Sequence, residues 1–132
     1  SLKFTRTKVV VDRIKEVAQE IFFLDMLETE AELLSHGQKQ WLEIGMLLVQ
    51  NPELIMLDEP VAGMTAKERE ATAALLEKIA KERSIIIIEH DMDFVAKIAD
   101  QVTVLHLGKI LKEGSMDEVR ADPVVQEVYL GH

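Results

Sequence analysis

Two carboxylates, Asp58 and Glu59, directly follow the apolar run Leu54–Leu57 and precede Pro60. An apolar run of this length bounded by Pro52 and Asp58 predicts a strand buried on both faces. Carboxylates at the C-terminal tip of such a strand stand where open α/β sheets bind their ligands. Asp58 is then placed to hold Mg²⁺ beside nucleotide phosphates, and Glu59 to polarise an attacking water. The plain alternative is a pair of solvated loop carboxylates. A second group, Leu34-Ser35-His36-Gly37-Gln38, has the form of a helix start. Free amides and the helix dipole at such a start attract an anion such as phosphate. The Ser hydroxyl adds a donor there, although a simple N-cap has the same form. A third group, Glu89-His90-Asp91, follows the apolar run Ile85–Ile88, so His90 also falls at the end of a buried strand. A lone His there is structural; one at the same sheet edge as Asp58 and Glu59 can reach the same phosphate.

The elements that must position these groups follow from periodicity. Val11, Ile14, Val17, Ala18, Ile21 and Phe22 recur at spacings of three and four and predict one helix with an apolar stripe. Ser35 and Gln38 form a capping box for a second helix, whose stripe is Trp41, Ile44, Leu47 and Leu48 and which ends at Asn51-Pro52. Thr65 and Glu68 form another capping box, for a helix with Ala71, Leu75, Ile79 and Ala80 inward. Asp91 caps a short helix with Phe94, Val95 and Ile98. Val102–His106 and Ile110–Lys112 read as a hairpin about a Gly108-Lys109 turn. Ser115 with Glu118 gives a third capping box, and Asp122-Pro123 starts a last helix. Strand–helix–strand alternation in the middle implies a parallel sheet covered by helices.

The 132 residues amount to about one domain. Lys and Arg number 15 against 24 Asp and Glu, a net charge of −9. That excludes a free-standing nucleic-acid or anionic-membrane binder, which needs a basic face, but not a nucleotide held by backbone amides. There is no Cys, hence no disulfide, thiol catalysis or Cys-ligated zinc, and His36, His90, His106 and His132 lack metal-ligand spacing. Runs such as Ile44–Val49 and Ile85–Ile88 are far short of a bilayer span, and Ser1–Phe4 has no signal-peptide core. A cytosolic-type chain is the expectation.

In this order the three groups resemble the ATPase subunits of ABC transporters. Leu34–Gln38 is similar to the signature sequence, Leu54–Pro60 to the Walker B strand with its catalytic Glu, Ala62-Gly63-Met64 to the D-loop, and His90 to the switch histidine. Leu34–Met46, Glu59–Thr65 and Glu127–His132 are similar to the ATP-binding subunits of urea importers, within the branched-chain amino-acid importer group. His36 stands where most ABC signatures have Gly. The resemblance implies the C-terminal part of a P-loop NTPase of ABC type. Residues 1–50 are then a remnant of the helical subdomain, and 51–132 are part of the RecA-like core. It implies ATP and Mg²⁺ as cofactors, with Asp58 on the metal, Glu59 on the water and His90 on the γ-phosphate. Ser35, His36, Gly37 and Gln38 would then close on ATP held by a second ATPase subunit. It also implies permease subunits as partners and a place at the cytoplasmic face of a membrane.

None of the six glycines belongs to a G-x-x-x-x-G-K-[ST] loop, the nest that cradles phosphates. The chain is therefore expected to begin inside the helical subdomain and to be inactive alone. A non-catalytic module that oligomerises or binds a partner is the competing expectation. In the family the phosphate-loop strand lies between those of Ile85–Ile88 and Val102–His106. Its absence predicts that these two strands either pair directly or are bridged by a second chain.

Overall fold

A computed structural model describes residues 6–129. The chain divides into two compact units, Ser1–Ile88 and Glu89–His132. In the first, helix α1 (Lys8–Glu20) is capped by the Thr7 hydroxyl, and helix α2 (His36–Leu48) by Ser35. Two short 3₁₀ turns, Leu24–Met26 and Ala31–Leu33, connect them. Strand β1 (Leu54–Asp58), helix α3 (Ala66–Ile79) and strand β2 (Ser84–Ile88) complete the unit. β1 and β2 pair in parallel, Leu54 opposite Ser84 through Asp58 opposite Ile88. This is the crossover that the strand–helix–strand pattern demands.

The helix faces differ in detail from the spacing. In α1 Val17 and Ala18 are buried and Ile21 follows them inward, but Ile14 is exposed. Phe22 is exposed too, and Phe23 takes the inward place. The cause is Phe22's backbone, whose φ of 64° ends the helix in a left-handed residue. The Phe23 amide then donates to Ala18 O at 2.7 Å, and the Phe22 ring stands edge-on to Trp41. In α2 Ile44 and Leu48 are buried as expected while Leu47 is exposed. In α3 the inward residues are Thr72, Ala73, Leu75, Leu76 and Ile79, with Ala80 exposed beyond the helix end. Thr72 is fully buried because its hydroxyl is used twice: it accepts from Trp41 Nε1 at 2.8 Å and donates to Glu68 O at 2.7 Å.

Neither strand is buried on both faces. Ile55 is buried, but Leu54, Met56, Ile86 and Ile88 are between 47% and 62% exposed. Residues of one parity share a face in a paired ladder, so these four lie on one bare apolar side. Among the described residues no helix covers that side, although the composition suits a strand sandwiched between two layers. β2 and β3 belong to separate sheets, so the direct pairing expected of them does not form. Pairing across chains remains the expected route: light scattering on the isolated chain should report self-association, and Ile86→Lys should reduce it. A clean monomer at high concentration would count against this.

In the second unit, helix α4 (Met92–Ile98) is capped by Asp91. Strands β3 (Val102–His106) and β4 (Lys109–Gly114) form an antiparallel hairpin. The turn is Leu107-Gly108, one residue earlier than expected, and Lys109 pairs with His106. Both turn residues have positive φ, 50° and 76°, the two-residue geometry whose twist matches the strands. Helices α5 (Met116–Ala121) and α6 (Pro123–Tyr129) pack Val119 and Val125 against Val104. Ser115 caps α5, but Glu118 accepts from the Ser115 hydroxyl instead of its amide, so only half of the third capping box forms. Asp122 Oδ1 accepts from the Val124 and Val125 amides, which is the expected start of α6. Residues 130–132, the end of the segment Glu127–His132, and Ser1–Phe4 lie outside the described residues.

Candidate functional site

The segment 34–38 is built by its capping box. Ser35 Oγ accepts from the Gln38 amide at 3.1 Å, and Gln38 Oε1 accepts from the Ser35 amide at 2.9 Å. The box fixes the first turn of α2, a 13-residue helix whose dipole and first amides point out of its start. Segment 58–65 is built by consecutive turns. The Ala62 amide donates to Glu59 O at 3.2 Å and the Met64 amide to Val61 O at 3.2 Å, before the Thr65 cap. Val61 and Met64 are buried, so the outer surface here belongs to Ala62 and Gly63.

These two segments meet. His36 Nε2 lies 2.8 Å from Ala62 O, to which its N–H donates, and the ring lies against Gly63. Gly63 has φ of 72°, and a Cβ there would stand 3.1 Å from His36 Cδ2. The Ser35 hydroxyl donates to Glu68 Oε1 at 3.3 Å, while Glu68 Oε2 accepts from the Thr65 amide at 2.9 Å. Gly37 is buried under the same carboxylate, where a Cβ would come within 2.7 Å of Glu68 Cδ. Glu68 is the residue that sequence reasoning assigned only to the cap of α3. Its second role depends on which oxygen the cap leaves over, and local spacing carries no sign of that.

The same contacts hold the Glu68 carboxyl below its ordinary value. The Thr65 amide contributes most, burial opposes it, and the Ser35 and Thr65 hydroxyls and the His36 charge add to the lowering. A carboxyl depressed in the folded state stabilises the fold fully above its ordinary value of 4.5 and loses that contribution as pH falls through the depressed value. The melting temperature should therefore drop on acidification below about 4.5, and Glu68→Gln should flatten that part of the profile. An unchanged pH profile in the variant would show that Glu68 contributes nothing there.

Asp58 and Glu59 are exposed at the tip of β1. The Glu59 amide donates to Ile88 O at 2.8 Å and so prolongs the parallel ladder, with Glu59 φ at 47°. A left-handed non-glycine costs conformational energy, and Phe22, Asn51 and Leu107 adopt the same conformation at other connections of the chain. Among the described residues no three His, Asp or Glu side chains converge to hold a metal ion. One exposed carboxylate suits Mg²⁺, which keeps waters and phosphate oxygens for most of its shell. His90, which opens the second unit, has a side chain 76% exposed. Glu89 beside it is buried, and its Oε1 accepts from the His90 and Asp91 amides at 3.1 and 3.3 Å. Glu89 Oε2 is buried with no hydrogen-bond partner. The structure thus joins Ser35, His36 and Gly37 to Ala62, Gly63 and Glu68 within one unit; Asp58 and Glu59 share that unit, and His90 belongs to the other.

Comparison with known proteins gives this arrangement a context. Residues 5–62 match the ABC transporter family model, and residues 113–132 match that of the branched-chain amino acid ATP-binding cassette transporters. The chain is 35% identical over 115 residues to the high-affinity branched-chain amino acid transport ATP-binding protein BraF of Pseudomonas aeruginosa, covering 86% of this chain and 45% of BraF. It is 34% identical over 123 residues to LivG of Escherichia coli, covering 92% of this chain and 48% of LivG. A crystal structure of the ADP conformation of an ABC transporter's ATP-binding cassette superposes with a TM-score of 0.88 at 30% identity, over all of this chain and 54% of that one. The chain spans about half the length of the curated relatives it matches. On these likenesses the chain belongs to the ATP-binding domains of the ABC transporters, as the C-terminal part of their P-loop fold, with branched-chain amino acid transport ATP-binding proteins among its relatives.

Proposed function

We propose that the chain is the C-terminal half of the ATPase subunit of an importer for branched-chain amino acids or urea. BraF and LivG support the first solute by their names, and the likeness of Leu34–Met46 to urea importer subunits supports the second. The observation that carries the ATPase reading is the exposed Asp58-Glu59 tip, fixed to β2 through the Glu59 amide. Bound ATP with Mg²⁺ supplies the scissile phosphoanhydride and the charge neutralisation for its cleavage. Asp58 would hold the metal, Glu59 would orient a water and take its proton, and His90 would donate toward the terminal phosphate. Gly37 and Gln38 offer amide and carboxamide N–H groups at the start of α2, where the helix dipole stabilises phosphate charge without enclosing the nucleotide, and Ser35, whose hydroxyl proton goes to Glu68, holds that turn in shape. His36 and the Ala62-Gly63-Met64 turn stand beside them toward a second ATPase subunit. The permease subunits of the importer are the further partners, which places the assembly at the cytoplasmic face of a membrane.

The sequence contains no phosphate-cradling loop, and a helix start alone provides few of the contacts a triphosphate needs. The isolated chain is therefore expected to show no ATPase activity above background. Calorimetry with ATP and Mg²⁺ should give no binding in the micromolar range. Micromolar affinity would overturn the account of the missing loop and, with it, the non-catalytic module.

A further inference from the structure

Two hydrogen bonds and two close glycine approaches tie the turn at the start of α2 to the segment that follows β1. The His36 ring donates to Ala62 O across 26 residues of chain. The Ser35 hydroxyl donates to Glu68 Oε1. Gly37 and Gly63 bring backbone against the Glu68 carboxylate and the His36 ring at distances that a methyl group would close. The Glu68 carboxylate is itself anchored, because its other oxygen accepts from the Thr65 amide. Two exposed turns joined only by packing would sample many relative positions. Joined by two directional bonds and two fitted glycines, they behave as one piece.

We propose that His36 and Glu68 are positioning residues that clamp the Ser35–Gln38 turn onto the Ala62–Gly63 turn, so that both face the second subunit's nucleotide as one preformed surface. This rests on the reading above, in which these turns act on ATP bound elsewhere. The benefit is pre-organisation: a surface ordered beforehand loses less freedom when the subunits close. It also gives His36 a use that Gly, usual at this place in the family, lacks. A ring nitrogen reaches Ala62 O where a glycine has no side chain to do so. Glu68 then acts through Ser35, holding the hydroxyl whose lone pair caps the Gln38 amide.

The test has two arms. In the isotopically labelled chain, the His36 Nε2–H should be protected from exchange. His36→Ala should shift the Gly63 amide resonance, which reports on the Ala62 carbonyl, and His36→Gln should return it toward its parental position. An unprotected Nε2–H, or a Gly63 amide indifferent to His36→Ala, would overturn the clamp. If His36→Ala fails to fold, Nε2–H protection in the parental chain and Gly63 in His36→Gln decide the matter. The second arm measures turnover in a complete subunit. His36→Ala should lower kcat/KM by roughly three- to tenfold, about one hydrogen bond's worth, with the loss mainly in KM and restored by His36→Gln. Spectra that show the clamp beside unchanged kinetics would overturn the positioning role. Glu59→Gln, run in parallel, separates the two ideas: parental turnover in that variant removes the nucleotide reading and leaves the clamp to the spectra.

Discussion

In a subunit that includes the phosphate-loop half, Glu59→Gln is expected to slow ATP hydrolysis by roughly 10²–10⁴-fold while nucleotide binding is unchanged. The substitution keeps the side chain's shape and removes its capacity to take a proton. The backbone that aims it should persist, because the Glu59 amide bonds to Ile88 O and the turn to Ala62 uses the Glu59 carbonyl. Single-turnover measurements with saturating ATP separate chemistry from binding. Turnover at the parental rate would remove Glu59 from this role, and weakened binding with unchanged chemistry would recast it as a ligand contact.

The largest expected effect on stability comes from Leu48→Ala. Leu48 is 1% exposed in the last turn of α2, and its carbonyl accepts from Arg13 Nη2 at 2.9 Å, which ties α2 to α1. Truncation there removes buried methyl groups and leaves a cavity, at a cost of about 2–5 kcal/mol. That is a large part of the 5–15 kcal/mol typical of a whole domain. The neighbouring Leu47 is 37% exposed, so Leu47→Ala should cost less than about 1 kcal/mol. Urea denaturation of the two variants checks the contrast. Equal losses would mean that Leu47 is covered in solution as Leu48 is.

On a helical wheel at about 100° per residue Ile44 and Leu48 fall between Trp41 and Leu47, so spacing already puts Leu47 at the margin of the stripe, where the structure leaves it exposed. Local spacing stops being informative at Phe22 and Phe23. The apolar stripe of α1 predicts Phe22 inward, yet a single left-handed residue at the helix end rotates the chain and seats Phe23 instead. The strands fail for another reason. Their composition is that of a sheet covered on two sides, and the bare row of Leu54, Met56, Ile86 and Ile88 follows from which elements are present to cover it.

The sequence by itself determined the helix starts, the parallel β1–β2 crossover, the hairpin and the identity of the carboxylates at a strand tip. These follow from short-range rules: a Ser or Thr oxygen three residues before an amide, an apolar run of strand length, a Pro or Gly where geometry requires it. Only the tertiary structure decided that Ser35, His36 and Gly37 share a surface with Ala62, Gly63 and Glu68. Their bonds join residues up to 33 positions apart. Each half of that surface forms locally for its own reasons, as a helix cap or a turn. Their meeting depends on how α2 and α3 pack, with the Trp41–Thr72 bond fixing the distance between the two helices. Spacing along a chain encodes which groups an element can offer, whereas packing selects which of those offers find a partner.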